Sequence, residues 1–391
     1  MTDAAESEAR KPRAGTGAAE HPRFDELAGE LATVFARPLD ERTFETWALR
    51  AFRWQFDHDA AFRGYCAGRG ATPATVARWQ DVPPVPTAAF KRLRFLAVEQ
   101  GRGPEAVFRT SGTTGGTERR GEHAVASLAL YRAALLPAFR AHLLPDGARP
   151  PVLALVPSPE EAPRSSLSRM IGVVIEELGG EGSAWLARAD GAIDARPLLE
   201  ALRAAAASDL PVLVAATAFG LVHALDALVV EGARIRLPEG SRLMETGGFK
   251  GRARVVARSE LYAAVRDRLG IPAARIVNEY GMTELLSQFY EPVLADPRVA
   301  DLPLEERFHV APHWVRSRVL DPVSLAPVAD GDPGLLCHYD LANLGSVSAV
   351  LTEDVGIAVP GGFRLIGRTP GAEPRGCSLA TEELLLAATA Q

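Results

Sequence analysis

PVLVAATAFGLVHALDALVVEGARIRLPEGSRLMETGG, residues 211–248, decides the fold class. Residues 211–217 form an apolar run of the length of a fully buried strand. FGLVHALDALVVEG repeats apolar residues three and four apart and closes on glycine, as a helix does. RLMETGG reads as a second strand and a turn. The alternation continues in both directions. Upstream, PVLALVP (151–157) reads as a strand, SSLSRMIGVVIEELGG (165–180) as a serine-capped helix and RPLLEALRAAAA (196–207) as a helix. Downstream, SELYAAVRDRLG (259–270) is a helix and ARIVNEYG (274–281) a strand. Buried strands separated by helices predict an α/β fold, a parallel sheet covered by helices. From about residue 305 the texture changes. HWVRSRVLD, GLLCHYD, SVSAVLTEDVG and GFRLIGR are short β-like runs broken by Gly, Pro and Asp. The expected organisation is an α/β core over 23–300 and a small β-rich subdomain over 301–391, which ends in one helix.

The N-terminal part is different again. Residues 1–22 are polar, Ala/Gly-rich and aperiodic, and predict a disordered tail. Residues 24–65 and 123–143 carry helical periodicity, the second with Pro137 as a kink. VPPVPTAAFKRLRF (82–95) is a proline-stiffened lead into a short helix or strand. The 391 residues suffice for two to three domains with a substantial core, and 47% apolar with 24% charged residues is ordinary globular composition. A net charge of −6 argues against a broad nucleic-acid footprint. No apolar run is long enough to span a membrane, and three cysteines without a C-x-x-C pair predict a cytoplasmic protein with reduced thiols. Lys11, Lys91 and Lys250 are the only lysines; every other cation-bearing chain is an arginine.

The chemistry concentrates in Phe108-Arg-Thr-Ser-Gly-Thr-Thr-Gly-Gly-Thr117. Thr110, Ser111, Thr113 and Thr114 supply hydroxyls. Gly112, Gly115 and Gly116 let successive backbone N–H groups converge on an anion. No G-K-[ST] closes the loop and no G-x-G-x-x-G is present, so it is neither a Walker nor a Rossmann loop. A flexible Ser/Gly linker is the alternative, but the loop lies between structured segments. Tyr280-Gly-Met-Thr-Glu284 taken alone reads equally well as a strand end with Thr283 capping a helix. Cys66 and Cys337 read as core. His309 and His313 make no zinc pair, because Pro312 breaks the helix between them. Phe219 and His223 read as acyl-pocket lining or as ordinary helix residues.

T-S-G-T-T-G-G resembles the phosphate loop of the adenylate-forming superfamily of acyl-CoA and acyl-protein ligases. Asn278-Glu-Tyr-Gly-Met-Thr-Glu-Leu285 resembles its Y-G-x-T-E element, Leu351-Thr-Glu-Asp354 its ribose-binding element and Gly367-Arg368 its following G-R. Glu245-Thr-Gly-Gly248 resembles its adenine turn. Within the superfamily P-T-A-A-F-K (86–91), V-P-S-P-E-E-A-P-R-S-S-L (156–167), N-E-Y-G-M-T-E-L-L-S-Q (278–288) and R-G-C-S-L (375–379) are similar to the LuxE-type acyl-protein synthetases of bacterial bioluminescence operons. The resemblance spans roughly residues 25–380.

It implies the fold of an adenylate-forming N-terminal domain with stacked parallel sheets. It also implies ATP- and Mg2+-dependent activation of a fatty or other carboxylic acid as acyl-AMP. Residues 110–116, Thr283, Gly281, Gly247 and Gly248 would then surround the nucleotide. Tyr280 would stack on adenine, Asp354 and Arg368 would hold the ribose, and Glu284 would bind magnesium. Cys377 would accept the acyl group as a thioester before a protein such as an acyl reductase takes it; a buried core thiol is the alternative. The chain runs 23 residues past Arg368, too few for the mobile lid whose lysine serves many relatives. The expectation is a lid-less enzyme in which Lys250, or else Lys91, or arginines alone, supply that charge. Transfer to coenzyme A or a carrier protein, and a nucleotide-binding module without turnover, stay open.

Overall fold

A computed structural model describes residues 23–110, 120–247, 256–368 and 375–389. The tail expected over 1–22 lies outside them. Helices α1 (Phe24–Val34), α2 (Glu41–His58) and α3 (Ala60–Gly68) open the chain. Asp40 and Asp59 start the second and third by accepting the N–H of Thr43 and Phe62, which satisfies donors with no helical partner. The proline-rich connection forms strand β1 (Val85–Pro86) and a short 3-10 helix, Thr87–Lys91. Next, β2 (Ala106–Arg109) and β3 (Glu122–Val125) pair antiparallel as a separate two-stranded sheet. Helix α4 (Leu128–Leu143) follows, capped by Ser127. The helix expected from residue 123 therefore starts at Leu128. His123, Ala124 and Val125 pair instead with Phe108, Val107 and Ala106. Local periodicity cannot see a partner strand on the far side of a loop.

The alternating region folds as expected: β4 (Val152–Leu155), α5 (Ser166–Leu178), β5 (Ala184–Trp185), α6 (Ala195–Ala207), β6 (Leu213–Thr217), α7 (Ala218–Val230), β7 (Arg242–Thr246), α8 (Arg258–Leu269), β8 (Ile276–Tyr280) and β9 (Phe289–Tyr290). The sheet order is β5-β4-β6-β7-β8-β9, parallel except for β9. Both faces are covered, so β4 and β6 are apolar almost throughout rather than alternating, and β7 is buried along its whole length. Leu153, Val214 and Leu243 face one core with α6, α7 and α8, while Ala154, Leu213 and Met244 face the other with α4 and α5. Parallel strands end on the same side, and that side receives Thr246 and Tyr280.

After α9 (Pro297–Ala300) come β10 (Val315–Leu320), β11 (Pro333–Asp340), β12 (Ala349–Val359), β13 (Gly362–Arg368) and α10 (Arg375–Thr389). The second sheet runs β1-β12-β11-β10 with β13 also on β12. It is antiparallel apart from the β1 pair. The β-rich region thus borrows a strand from residues 85–86. Ala380 and Leu384 of α10 are buried in the same hydrophobic cluster as Phe24, and Glu383 pairs with Arg69, which caps α3. Residues on both sides of position 300 share one hydrophobic cluster.

Candidate active site

Tyr280 is the last residue of β8. Its hydroxyl donates to Asp354 Oδ2 of β12 at 2.9 Å. Asp354 stands opposite Arg368 in the β12–β13 register, and Arg368 Nε donates to its Oδ1 at 3.2 Å. The Asp354 backbone N–H donates to Thr352 Oγ1 at 3.1 Å, and that hydroxyl donates to the Leu336 carbonyl at 2.8 Å. The carboxylate is therefore fixed at both backbone and side chain. Burial disfavours the Arg368 cation, but the Asp354, Glu353 and Glu284 carboxylates outweigh it and raise its pKa. Three motifs far apart in the chain, at 280–284, 352–354 and 367–368, meet here.

Tyr280 does not present its ring as expected. The side chain is 7% exposed and packs among Phe289, His309, His338 and Phe363. The strand alternation that brings its hydroxyl to Asp354 turns the ring into the space between the two sheets. Its hydroxyl orients the carboxylate, and its ring is packed in an aromatic cluster.

Glu279, its neighbour, points to the opposite side and accepts from Thr246 Oγ1. A Cβ at Gly281 would crowd this carboxylate, which would have to move aside. Glu284 follows, 8% exposed, with its carbonyl accepting from Asn343 Nδ2 at 2.9 Å. Asp340 at the end of β11 holds the rest of this segment. It accepts from the N–H groups of Leu286 (3.2 Å), Ser287 (2.9 Å) and Ala342 (2.9 Å) and from Ser287 Oγ (2.8 Å). Asn343 Oδ1 accepts from Leu286 N at 3.0 Å. Burial pushes the Asp340 carboxyl up to about 6 despite these donors. Neither Asp340 nor Asn343 stood out in the sequence. The available signal was D-L-A-N closing an otherwise apolar strand, since buried polar side chains need partners.

Behind β7 and β8 lies a second polar cluster. Asn278 Nδ2 donates to Glu245 Oε2, Tyr262 Oη donates to the same oxygen at 3.3 Å, and His309 Nε2 donates to Asn278 Oδ1 at 2.8 Å. Arg258 pairs with buried Glu291. His309 is thus a network residue and not half of a zinc pair. Gly247 closes β7 with a φ of 73°, a left-handed conformation that glycine adopts without strain. Gly248 and Lys250 lie outside the described residues. Lys91 ends the 3-10 helix.

The hairpin strands β2 and β3 flank residues 111–119, so Ser111, Gly112, Thr113, Thr114, Gly115 and Gly116 also fall outside the described residues. Thr110 is at the hairpin's end. Its N–H donates to the Gly121 carbonyl at 3.0 Å, and its hydroxyl accepts from Gly121 N at 2.9 Å. Beside it Arg109 (2.8 Å), Arg94 (3.2 Å) and Arg164 (3.8 Å) surround Glu122. The Arg109 and Arg94 guanidinium groups lower the Glu122 pKa.

Cys66 and Cys337 are buried, and burial raises both thiols, Cys337 to about 12. They remain protonated and unreactive. Cys377 belongs to the first turn of α10, and its side chain is outside the described residues. On α7 the rings of Phe219 and His223 are 4.2 Å apart, with His223 exposed.

The parallel sheet, with the antiparallel sheet joined to its strand ends through Tyr280 and Asp354, has the fold of adenylate-forming ligases. The solved structure of 2-hydroxyisobutyryl-CoA ligase in the postadenylation state with 2-HIB-AMP has the same fold. It superposes with a TM-score of 0.61 at 14% identity, over 84% of this chain and 67% of that one. An open conformation of that ligase with 2-HIB-AMP and CoA gives 0.58 at 14% identity, over 92% and 75%. The family model for acyl-protein synthetase, LuxE, matches residues 167–386, and the chain belongs to that family. The long-chain-fatty-acid–luciferin-component ligase of Aliivibrio fischeri is 46% identical over 52 residues. That match takes in 13% of this chain and 14% of the relative, so the chain matches only a small part of that protein's length. No described helix is long and apolar enough to cross a membrane.

Proposed function

We propose that the protein joins a carboxylic acid, fatty in the first instance, to the AMP moiety of ATP and passes the acyl group to a protein thiol. The observation that carries this reading is the meeting of Tyr280, Asp354, Arg368 and Glu284 where the end of β8 reaches the β12–β13 pair. In the first step a carboxylate oxygen of the acid attacks the α-phosphorus. The O–P bond forms, the bond to the β-phosphate breaks and pyrophosphate leaves. In the second step a thiolate attacks the acyl carbon, a thioester forms and AMP leaves.

Asp354 suits a ribose. Each of its oxygens has one protein donor and keeps a lone pair for a sugar hydroxyl. Arg368 donates toward the same sugar. Residues 110–116 and Thr283 would hold the phosphates, and Gly247, Gly281 and Gly248 would border the base. Among the described residues no three His, Cys, Asp or Glu side chains group as a metal cage. Glu284 as a single buried carboxylate fits magnesium, which takes one or two carboxylates and otherwise water and phosphate oxygens. When bound, the ion offsets phosphate charge during pyrophosphate departure. Lys250 is the lysine assigned to the same task, its neighbours Gly247, Gly248 and Gly251 leaving room for close approach. Cys377 is the first acyl acceptor and an acyl reductase the final one.

Acid-dependent exchange of labelled pyrophosphate into ATP, followed by intact mass, tests the reading. A hydroxylamine-sensitive acyl adduct on the protein supports it. Acid-dependent consumption of coenzyme A with no adduct favours a ligase for a diffusible thiol. ATP binding without exchange across a wide acid panel rejects both.

A further inference from the structure

His123 is fully buried on β3, opposite Phe108 and edge-on to Phe90 at 5.7 Å. Its Nδ1 lies 2.7 Å from the Thr283 carbonyl. A carbonyl only accepts, so Nδ1 carries the proton and Nε2 is left as an acceptor. Nε2 has no partner. His123 and Ser346, whose Oγ is also without a partner among the described residues, line a small cavity of about 10 Å³. That is close to the smallest space that admits one water. Burying an imidazole with an unpaired nitrogen costs free energy that a phenylalanine filling the same slot against Phe90 would not. Packing therefore does not explain the residue, whereas the bond to Thr283 does.

The place of that bond matters. The β2–β3 hairpin pairs with neither of the larger sheets. The strands that flank residues 111–119 are therefore not held to β8 by any sheet ladder. The His123–Thr283 bond connects them across 160 positions of sequence, and it lands on the carbonyl immediately before Glu284. We propose that His123 is a positioning residue for adenylation, fastening the β2–β3 hairpin to the Thr283–Glu284 segment so that the groups each presents to the nucleotide keep one separation. This rests on the activity proposed above.

The test compares His123→Phe, which fills the slot without the donor, with His123→Asn, whose amide nitrogen can take the place of Nδ1. In acid-dependent pyrophosphate exchange the Phe variant is expected to lose about thirtyfold in kcat with KM for ATP changed less than about threefold, the pattern of misplaced transition-state groups. The Asn variant is expected to recover to within about threefold of wild type. Wild type that exchanges while both variants match it, or while both fall equally, overturns the positioning role and leaves the activity standing. Wild type that never exchanges rejects the activity instead. Hydrogen exchange then decides the tie by itself: peptides over 281–287 must lose protection in the Phe variant and keep it in the Asn variant, and equal protection in both refutes it. If the Phe variant does not fold, His123→Gln, whose amide reaches the Nε2 position, replaces it as the arm without the donor.

Discussion

In the six-stranded sheet the site residues sit at or just beyond the ends of parallel strands, Gly247 after β7 and Tyr280 to Glu284 at the end of β8. In the five-stranded sheet they sit on paired strands, Asp354 inside β12 and facing Arg368, the last residue of β13. Parallel strand ends leave short contiguous segments that are free to follow a ligand, and their backbone must be tied down from elsewhere, here by Asp340, Asn343 and His123. An antiparallel pair is fixed by its own ladder, and its side chains need only each other. One sheet thus supplies groups that must be positioned, the other groups that are positioned already.

The largest expected effect lies where neither sheet reaches. If both sheets together build adenylation and α10 alone captures the acyl group, Cys377→Ser removes the hydroxylamine-sensitive label completely. Pyrophosphate exchange then stays near wild type, and Cys66→Ser and Cys337→Ser keep the label. Mass spectrometry of the three variants reads this directly, and a labelled Cys377→Ser would refute the assignment.

Next comes the strand-end side of the comparison. Glu284→Ala is expected to cut exchange by about a hundredfold, the scale of losing a group that stabilises developing charge. Lys250→Met and Lys91→Met belong in the same assay. A loss confined to Lys250→Met supports its assignment, and losses of only a fewfold in both would place that charge on arginine and magnesium.

The ladder side should respond less sharply. Asp354→Asn keeps the pairing but removes the charge that Arg368 faces, and is expected to raise KM for ATP about tenfold. Tyr280→Phe removes one neutral donor and costs roughly a fewfold. If Tyr280→Phe proves as harmful as Asp354→Asn, the hydroxyl does more than orient the carboxylate.

The smallest effect is on stability. Burial lowers the imidazoles of His123 and His142 to about 4 and those of His309 and His338 to about 3. The unfolded chain binds protons below about 6.5, so the stability these neutral rings contribute is present above that pH and is lost as pH falls toward 4. Asp340 acts with the opposite sign. Its raised folded pKa makes the fold bind a proton that the unfolded chain releases between about 4 and 6, so it gains stability as pH falls through that window. Thermal midpoints should drop from pH 7 to pH 5, and more steeply in Asp340→Asn. Equal slopes would show that Asp340 stays ionised in the fold.

Much of the architecture was legible because its signals are local. Buried strands such as β4 and β6, with helices between them, produce apolar runs and 3.6-residue periods that a single pass can read. The start of α4 was misread because β3 is a strand only by virtue of pairing with β2. In the site, T-E-D and G-R were legible as separate motifs, but their pairing needed the β12–β13 register. The residues that tie the strand-end segment down carried no motif, since a buried Asp, Asn or His looks the same in sequence whatever it holds.

By itself the sequence determined the α/β class, the order of the motifs and the family to which they belong, because each depends on residues within one turn or one strand of each other. Only the tertiary structure decided what Tyr280 does. A tyrosine at a strand end can offer either its face or its hydroxyl, and the choice was made by Asp354, 74 positions away, and by the aromatic side chains of β9 and β13 that close over the ring. Those contacts are set by how two sheets pack, and packing is a relation between distant segments that no local pattern encodes.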